Sequence, residues 1–438
     1  MGTIAWNEIP APAGMEPKET FSTDENSVVR AFEGVGEDDF EAYLAALKKA
    51  GFAPAFTDAD CGNRYALLEG KTATVYLYFA KEAGVLRVYS EEKGAHPGPL
   101  PDPALAALPG ADTFWQLPVD FKGTKQNGGM CYLFRAADGS FVILDGGYNT
   151  RVEAFKIGNF LLEHTPKGQK PVVSGWFFTH IHGDHFGAFC AFSKFFADQV
   201  EVKAIYRHFP TPLPDWMREY LESETRWPGV KIYDRLHTGT VCDFPGIRFR
   251  VLYTMEDLYP LRPESGNEQS MVLRWDSSAG QRVLFLADIE KNASACVERL
   301  QPVAAVRSDL VQFAHHGYEG ASEALYDRIA APTVLWPMNI DGYQENYGVP
   351  DPNNPGHSKR DENGNRIPWV PQPVFRIWHD KTTCGQNYHL ANHYVCYEAP
   401  YVKKILDHTD PLEIRLPYTP TGSKLPDMDR IFAEKTGK

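Results

Sequence analysis

The sequence predicts a layered α/β fold. Apolar runs of strand length recur along the chain, and amphipathic or apolar stretches of helix length fall between them. Several of those runs end in histidine or aspartate, at the strand end where open α/β sheets place their chemistry. A glycine- and proline-rich stretch sets an N-terminal unit apart from the rest. With 438 residues, 43% hydrophobic and 23% charged, the chain can build one large core and a small appended one.

Residues 1–112 read as a small α+β accessory unit with a linker. A helix is expected over residues 38–50, because Phe40, Tyr43, Leu44 and Leu47 recur at helical spacing. Asp38 or Asp39 stands where a cap would start it, and Gly51 where one would end it. A strand at 27–32 precedes the helix, and strands at 64–68, 73–79 and 85–89 follow, with Gly70 and Gly84 at the turns. No cluster of ligand-type residues lies in this unit. Residues 94–103 form the linker, a boundary that few contacts are expected to cross. Residues 113–400 then make the main domain, and 401–438 a C-terminal extension.

The main domain opens with short strands at 130–134 and 141–144, around Asp138-Gly139. The second runs into Asp145-Gly146-Gly147. A helix is expected over 152–163, a buried strand at 172–178 and an apolar helix over 186–196. Further strands fall at 200–206, 247–253, 270–275, 282–287 and 309–313. Tyr206, His208, Phe209, Trp216, Tyr220, Trp227 and Tyr233 crowd the segment after the apolar helix. Packing of an inserted subdomain is the ordinary role for such side chains; a wall over a substrate is the alternative. Residues 336–378, aromatic and proline-rich, have the length of binding loops.

Between the strand at 172–178 and the helix at 186–196 stands Thr179-His180-Ile181-His182-Gly183-Asp184-His185. It falls on the loop at the strand's C-terminal end. A single loop histidine is an ordinary polar residue. Three histidines and an aspartate at this spacing, in a chain with only 14 histidines, point to metal binding. Neutral imidazoles and a carboxylate suit zinc and similar cations, and one such loop can serve two ions. Later strand ends offer more donors: Asp288 after Leu284-Phe285-Leu286-Ala287, and His315-His316 after Val311-Gln312-Phe313-Ala314. Asn267-Glu268-Gln269-Ser270 leads into another strand.

Together these residues resemble the metallo-β-lactamase superfamily. The HxHxDH run, Leu144-Asp145-Gly146-Gly147, the strand-end Asp288 and the late histidine follow in its order. Over residues 113–400 the resemblance implies a four-layer αββα sandwich. More narrowly, Asn267-x-x-Ser270, Asp288 and His315-His316-Gly317 look like the branch that includes the hydrolase domain of DNA-uptake competence proteins. Pro355-Gly356-His357 is a looser echo of that domain's end. The resemblance implies that His180 and His182 hold a first metal and Asp184 and His185 a second, with Asp288 bridging. His315 would complete the second site, with His316 as substitute or substrate contact. The superfamily commonly supplies another histidine to the first metal just before the strand that starts here at Ser270. Asn267 stands in that neighbourhood, so one-metal occupancy is an alternative to two. The implied metal is zinc, with manganese or iron as alternatives. The implied activity is hydrolysis by a metal-activated hydroxide, with Asp184 as both ligand and orienting catalytic residue. Asp145 and Thr179 are the candidates for fixing imidazole tautomers. His182 stands where iron-binding redox members carry glutamate, which favours hydrolysis.

A net charge of −13 without basic stripes disfavours long nucleic acid as a partner. No apolar run approaches the ~20 residues of a membrane helix, and the first residues lack a signal-peptide pattern. Seven scattered cysteines without a CxxC pair suit reduced thiols in a cytoplasm, with Cys131 and Cys190 as small buried residues. The expectation is a cytoplasmic metal-dependent hydrolase of a phosphodiester in a small molecule or short oligonucleotide. A carboxylic ester, lactone or amide comes next. The rival of another class is a non-catalytic binding module with a degenerate metal site.

Overall fold

A computed structural model of the chain describes residues 9–110, 112–117, 119, 129–317, 320–337, 353, 362–363, 387–390 and 411–418. Pro355-Gly356-His357 and most of the 336–378 stretch lie outside the described residues. The N-terminal unit comprises β1 (Glu19–Asp24), β2 (Ser27–Glu33), α1 (Glu37–Lys49), β3 (Ala53–Asp60), β4 (Asn63–Glu69), β5 (Ala73–Ala80) and β6 (Val85–Glu92). Its strands form one antiparallel sheet in the order β1-β2-β6-β5-β4-β3. Side chains alternate across a strand. Val75, Leu77 and Phe79 of β5 therefore pack with Phe40, Tyr43, Leu44 and Leu47 of α1, while Tyr76 and Tyr78 face the other way. Gly36 caps α1, and its N–H donates to Asp39 Oδ2 at 2.8 Å, so Asp38 and Asp39 lie in the first turn. Carboxylates there suit the positive end of the helix.

The tyrosine face of this sheet is buried against the main domain, contrary to the expectation that few contacts cross the linker. Tyr78 Oη and Asn63 Nδ2 both donate to Leu300 O, and Tyr76 Oη donates to Thr238 O. Arg274 grips both carboxylate oxygens of Asp60 at 2.9 Å, and Arg250 reaches Asp58 at 2.7 Å. Arg87 donates to the carbonyls of Glu256 and Asp257, and Arg235 to Asp24. Arginine's fixed fork suits such contacts.

After a short helix α2 (Pro103–Ala106) comes the second sheet: β7 (Thr113–Gln116), β8 (Cys131–Arg135), β9 (Phe141–Asp145), β10 (Val172–Phe178), β11 (Glu201–Val202), β12 (Ala204–Arg207) and β13 (Lys231–Tyr233), closed at one edge by β21 (Leu412–Arg415). The expected strand at 200–206 is thus two pieces. Residues 401–438 are not merely an extension, because β21 pairs antiparallel with β7 and buries Ile414. The third sheet runs β14 (Val241–Phe244), β15 (Ile247–Tyr253), β16 (Val272–Asp276), β17 (Arg282–Phe285), β18 (Leu310–Gln312), β19 (Thr333–Trp336) and β20 (Asn387–Leu390), in that spatial order.

The second and third sheets pack face to face. Phe114, Tyr132, Phe134, Leu144 and Phe177 meet Phe249, Leu273, Trp275 and Phe285. The opposite face of the second sheet, including Leu133, Ile143 and Trp176, is covered by α3 (Arg151–Glu163) and α4 (Gly183–Phe196), with Tyr220 of α5 (Arg218–Glu224) joining them. On the outer face of the third sheet lie α6 (Lys291–Leu300), α7 (Val303–Val306), α8 (Glu323–Ile329) and the N-terminal sheet. The result is a four-layer αββα sandwich with a small α+β unit docked on one side. No described helix is long and apolar enough to cross a membrane.

One consequence of this topology positions the site. β9, β10, β12 and β13 are parallel neighbours, with Phe177 opposite Leu144 and Phe178 opposite Arg207. Their C-terminal ends therefore share one edge of the second sheet. From that edge leave Asp145, the histidine-rich run and the segment that carries Trp216.

Candidate metal centre

The histidine-rich run divides between a turn and a helix. α4 begins at Gly183 with His182 at its N-cap, so Asp184 and His185 stand in the first helical turn rather than in a loop. Helical backbone starts early because Asp184 favours that end, and because Gly187 lets the helix approach the 147–149 backbone. A Cβ on Gly187 would lie 2.5 Å from the Asn149 nitrogen.

Two groups of donor atoms converge, each within 4.8 Å among themselves: Asp184, His185, Asp288 and His316; and His180, His182 and Asp288. Asp288 belongs to both. Its Oδ2 lies 3.1 Å from His185 Nε2, 3.2 Å from His316 Nε2 and 3.8 Å from His180 Nε2. His316 Nε2 is also 3.0 Å from Asp184 Oδ2. The structure thus brings together His180, His182, Asp184, His185 and Asp288 of the expected set.

His315 is the exception, and His316 takes the place expected of it. β18 stops at Gln312, and the backbone then turns through left-handed conformations at both histidines, φ 49° and 54°. That turn sends His316 into the second group. His315 Nε2 instead sits 3.2 Å from Asn267 Nδ2, and its Nδ1 lies 3.7 Å from Glu290. The order in which residues leave a strand does not reveal which side chain points inward when the chain turns left-handed. Asn267 itself, an amide outside the imidazole and carboxylate types that make up the two donor groups, donates to Glu290 Oε1 at 2.7 Å. It does border the first one: a Cβ on neighbouring Gly266 would lie 2.3 Å from His182 Nε2.

Outer contacts aim the imidazoles. Asp145, fully buried with φ 57° at the end of β9, accepts from the Thr179 N–H and hydroxyl and lies 2.7 Å from His185 Nδ1. His185 Nε2 is left to face the cluster. His316 Nδ1 pairs with Pro337 O at 3.0 Å, leaving its Nε2 inward, and His180 Nδ1 meets Thr179 Oγ1 at 3.1 Å. Such partners fix the tautomer and the ring plane. The sequence-based candidates Asp145 and Thr179 both take this part.

Two further positioning residues were not singled out from the sequence. Ala287, just before Asp288, is left-handed at φ 51°, a conformation that costs a non-glycine residue about 1–2 kcal/mol. Gln312 holds it from both sides: its Oε1 accepts from the Ala287 N–H at 2.7 Å, and its Nε2 donates to Ala287 O at 3.0 Å. The signal was a lone amide in the apolar run Leu310-Val311-Gln312-Phe313. Glu268 accepts from the Asn292 and Ala293 N–H groups at the start of α6 and so anchors the 265–270 turn beside His182.

The charges are complementary. Burial opposes the imidazolium of His185, but Asp288, Asp145 and Asp184 outweigh it and hold its pKa well above the usual value. His316 is likewise pushed up to about 9, burial being outweighed by Asp288 and Asp184. Burial, then nearby His185, hold His180 well below its usual value, so it stays a neutral donor. His180 Nε2 and Asp288 Oδ1 are buried and, among the described residues, have no hydrogen-bond partner. Orphaned buried donor atoms facing a carboxylate-rich cluster fit a divalent cation.

The aromatic segment divides unevenly. Tyr206, His208, Phe209, Tyr220 and Trp227 are buried, and Tyr233 is half-buried, as packing residues should be. Trp216 is 58% exposed. Cys131 and Cys190 are buried free thiols.

No family model matches the chain, and no curated protein matches it in sequence. Solved structures do resemble it in part. The unliganded yeast PDE1 structure is 11% identical, covering 64% of this chain and 98% of that one, with a TM-score of 0.36. A long-form RNase Z from yeast is 11% identical over 64% of this chain and 46% of its own, with a TM-score of 0.39. The short form of human tRNase Z is 14% identical over 51% and 90%, with a TM-score of 0.33. These likenesses are partial.

Proposed function

We propose that this chain is a metal-dependent hydrolase that cleaves a phosphodiester in a small molecule or short oligonucleotide. One observation carries the reading: two donor groups share Asp288, and their imidazoles are aimed from behind by Asp145, Thr179 and Pro337. A buried histidine without a metal also takes such a partner, as His208 does with Leu236 O; here the second nitrogens of His185 and His316 converge as well on Asp288, and that of His316 on Asp184. His180, His182 and Asp288 would hold one cation, and Asp184, His185, Asp288 and His316 the other. The donors contain no thiolate and mix imidazole with carboxylate, which suits zinc, with manganese or iron as alternatives. Bound divalent cations supply a water acidified to near neutrality and neutralise charge on the substrate's oxygens.

The protein's own groups do the rest. Asp184, 21% exposed at its side chain, is the carboxylate of the cluster most open to solvent and is suited to orient the attacking water. Burial of His180, His185 and Asp288 excludes bulk water and strengthens each charge interaction. Loading the second group requires release of the protons held on His185 and His316, so affinity should rise with pH. The choice of a phosphodiester over an ester, lactone or amide rests on the Asn267-x-x-Ser270, Asp288 and His-His-Gly resemblance to the branch of the competence-protein hydrolase domain. We propose a cytoplasmic location on the cysteine pattern.

The test is elemental analysis of protein purified without chelators, followed by a screen against phosphodiesters and carboxylic esters. One to two transition-metal ions per chain and chelator-sensitive phosphodiester cleavage are expected. Metal-free protein without activity after zinc addition supports the binding-module reading instead; ester or lactone turnover alone moves the substrate.

A further inference from the structure

We propose that Trp216 stacks a nucleobase of the substrate beside the phosphate site. The inference rests on the phosphodiester reading above and adds the chemistry of the group next to the scissile bond.

The first support is placement. β10 and β12 run parallel with Phe178 opposite Arg207. The histidine-rich run leaves the sheet after Phe178, and the segment to Trp216 leaves after Arg207, on the same edge one strand away. Phe186, directly after the donor His185, stacks on Trp216 with ring centroids 6.0 Å apart and an interplanar angle of 27°. Trp216 is thus tied to the same first turn of α4 that carries Asp184 and His185.

Presentation is the second support. Large aromatic side chains are ordinarily buried, because each removes much apolar area from water. The other aromatics of the segment are buried or, at Tyr233, half-buried, while Trp216 is 58% exposed. Among the described residues, Phe186 is its only ring partner. Flexibility does not explain the exposure. Pro210, Pro212 and Pro214 precede it and limit backbone freedom. The next residue, Met217, is fully buried and donates its N–H to Pro214 O at 2.9 Å. A rigid loop that holds an indole toward solvent beside a phosphate-type site is preorganised for a flat ligand.

Chemistry selects the ligand. An indole face binds planar rings and is tolerant of base identity, because every base has a π-face. It offers little to the sugar or to an aliphatic alcohol. The expected preference is therefore for a nucleotidyl over an alkyl phosphodiester, without strong choice among bases. This also agrees with a net charge of −13, which suits short rather than long nucleic acid.

The test uses the full-length, zinc-loaded protein and two product-like ligands, AMP and ribose 5-phosphate, titrated by calorimetry. They share the phosphate and the sugar and differ in the base. Wild type should bind AMP about tenfold more tightly, the scale of one base–aromatic stack. Trp216→Ala should remove that advantage and leave ribose 5-phosphate binding unchanged, and Trp216→Phe should restore most of it. Equal binding of the two ligands by wild type, or an AMP advantage that survives in Trp216→Ala, overturns the stack while leaving the phosphate reading intact. Failure of zinc-loaded wild type to bind either ligand overturns the phosphate reading, and this inference falls with it.

Discussion

Replacing His237 by asparagine tests how the N-terminal unit is held to the sandwich. The imidazole is buried, with Nδ1 2.8 Å from Glu256 Oε2 and Nε2 3.3 Å from Glu91 Oε1. Glu91 comes from β6, whereas His237 and Glu256 belong to the main domain, so the charge bridges the two. The ring packs against Tyr76 and Tyr89, with centroids 4.9 and 4.3 Å away. Burial alone would lower the pKa of His237, but Glu256 and Glu91 outweigh it and raise it from 6.5 to about 9. Arg235 and His208 also approach Glu256, at 3.7 Å each; burial keeps His208 neutral, at about 4. A raised folded-state pKa stabilises fully below the unfolded value and is lost as pH climbs through the folded one. The rise for His237 is worth about 3 kcal/mol at 1.36 kcal/mol per unit, on an order-of-magnitude basis. Glu256, held at about 2 by the same contact, is the other half of the pair and is not added again. Urea unfolding of wild type and His237→Asn, followed by fluorescence, should give a stability gap that is largest near pH 6. The gap should shrink by about half of that 3 kcal/mol near pH 8 and by nearly all of it near pH 10. A gap that stays constant over this range would refute the assignment of a charged bridge.

The remaining predictions concern the site and the unit boundary. His316→Ala should lose about one bound metal equivalent and most hydrolytic activity, whereas His315→Ala should keep its full metal content; elemental analysis of the two variants decides between the neighbours. Gln312→Ala leaves the buried N–H of Ala287 without its partner, at about 1–3 kcal/mol, while the Ala287 carbonyl keeps the His315 N–H. Zinc affinity, read by competition with a chelating dye, should fall about tenfold or more; unchanged affinity would mean that Asp288 is placed without Gln312. A chain of residues 113–438 should be poorly soluble and bind a hydrophobic dye, because it strips Asp58, Asp60 and Asp24 from Arg250, Arg274 and Arg235 and uncovers Leu300. A soluble, dye-silent product would show that the polar seam contributes little.

Where the sequence could be read, the reason is local. β10 spans Val172–Phe178 as expected, because a parallel strand covered on both faces reads as an unbroken apolar run. The helix over Phe40, Tyr43, Leu44 and Leu47 was legible from its periodicity. β3, by contrast, carried no strand signal. Its half-buried Asp58 and Asp60 gain their charge partners from Arg250 and Arg274, nearly two hundred positions or more away along the chain. α4 began earlier than its apolar run because a helix start depends on capping and on the close approach of the 147–149 backbone, not on hydrophobicity.

The sequence by itself determined the chemistry of the centre. His180, His182, Asp184 and His185 lie within six residues, so the short chain between them keeps them together in almost any fold, and their residue types select the class of cation. Asp288 was legible as a strand-end carboxylate but not as a shared one. Its neighbourhood depends on two sheets packing face to face and on Gln312 holding a left-handed Ala287. The choice between His315 and His316 was likewise left to the tertiary structure. Adjacent, chemically identical side chains differ only in direction, and that direction is set by backbone dihedrals that the packing of β18 against β17 and β19 imposes.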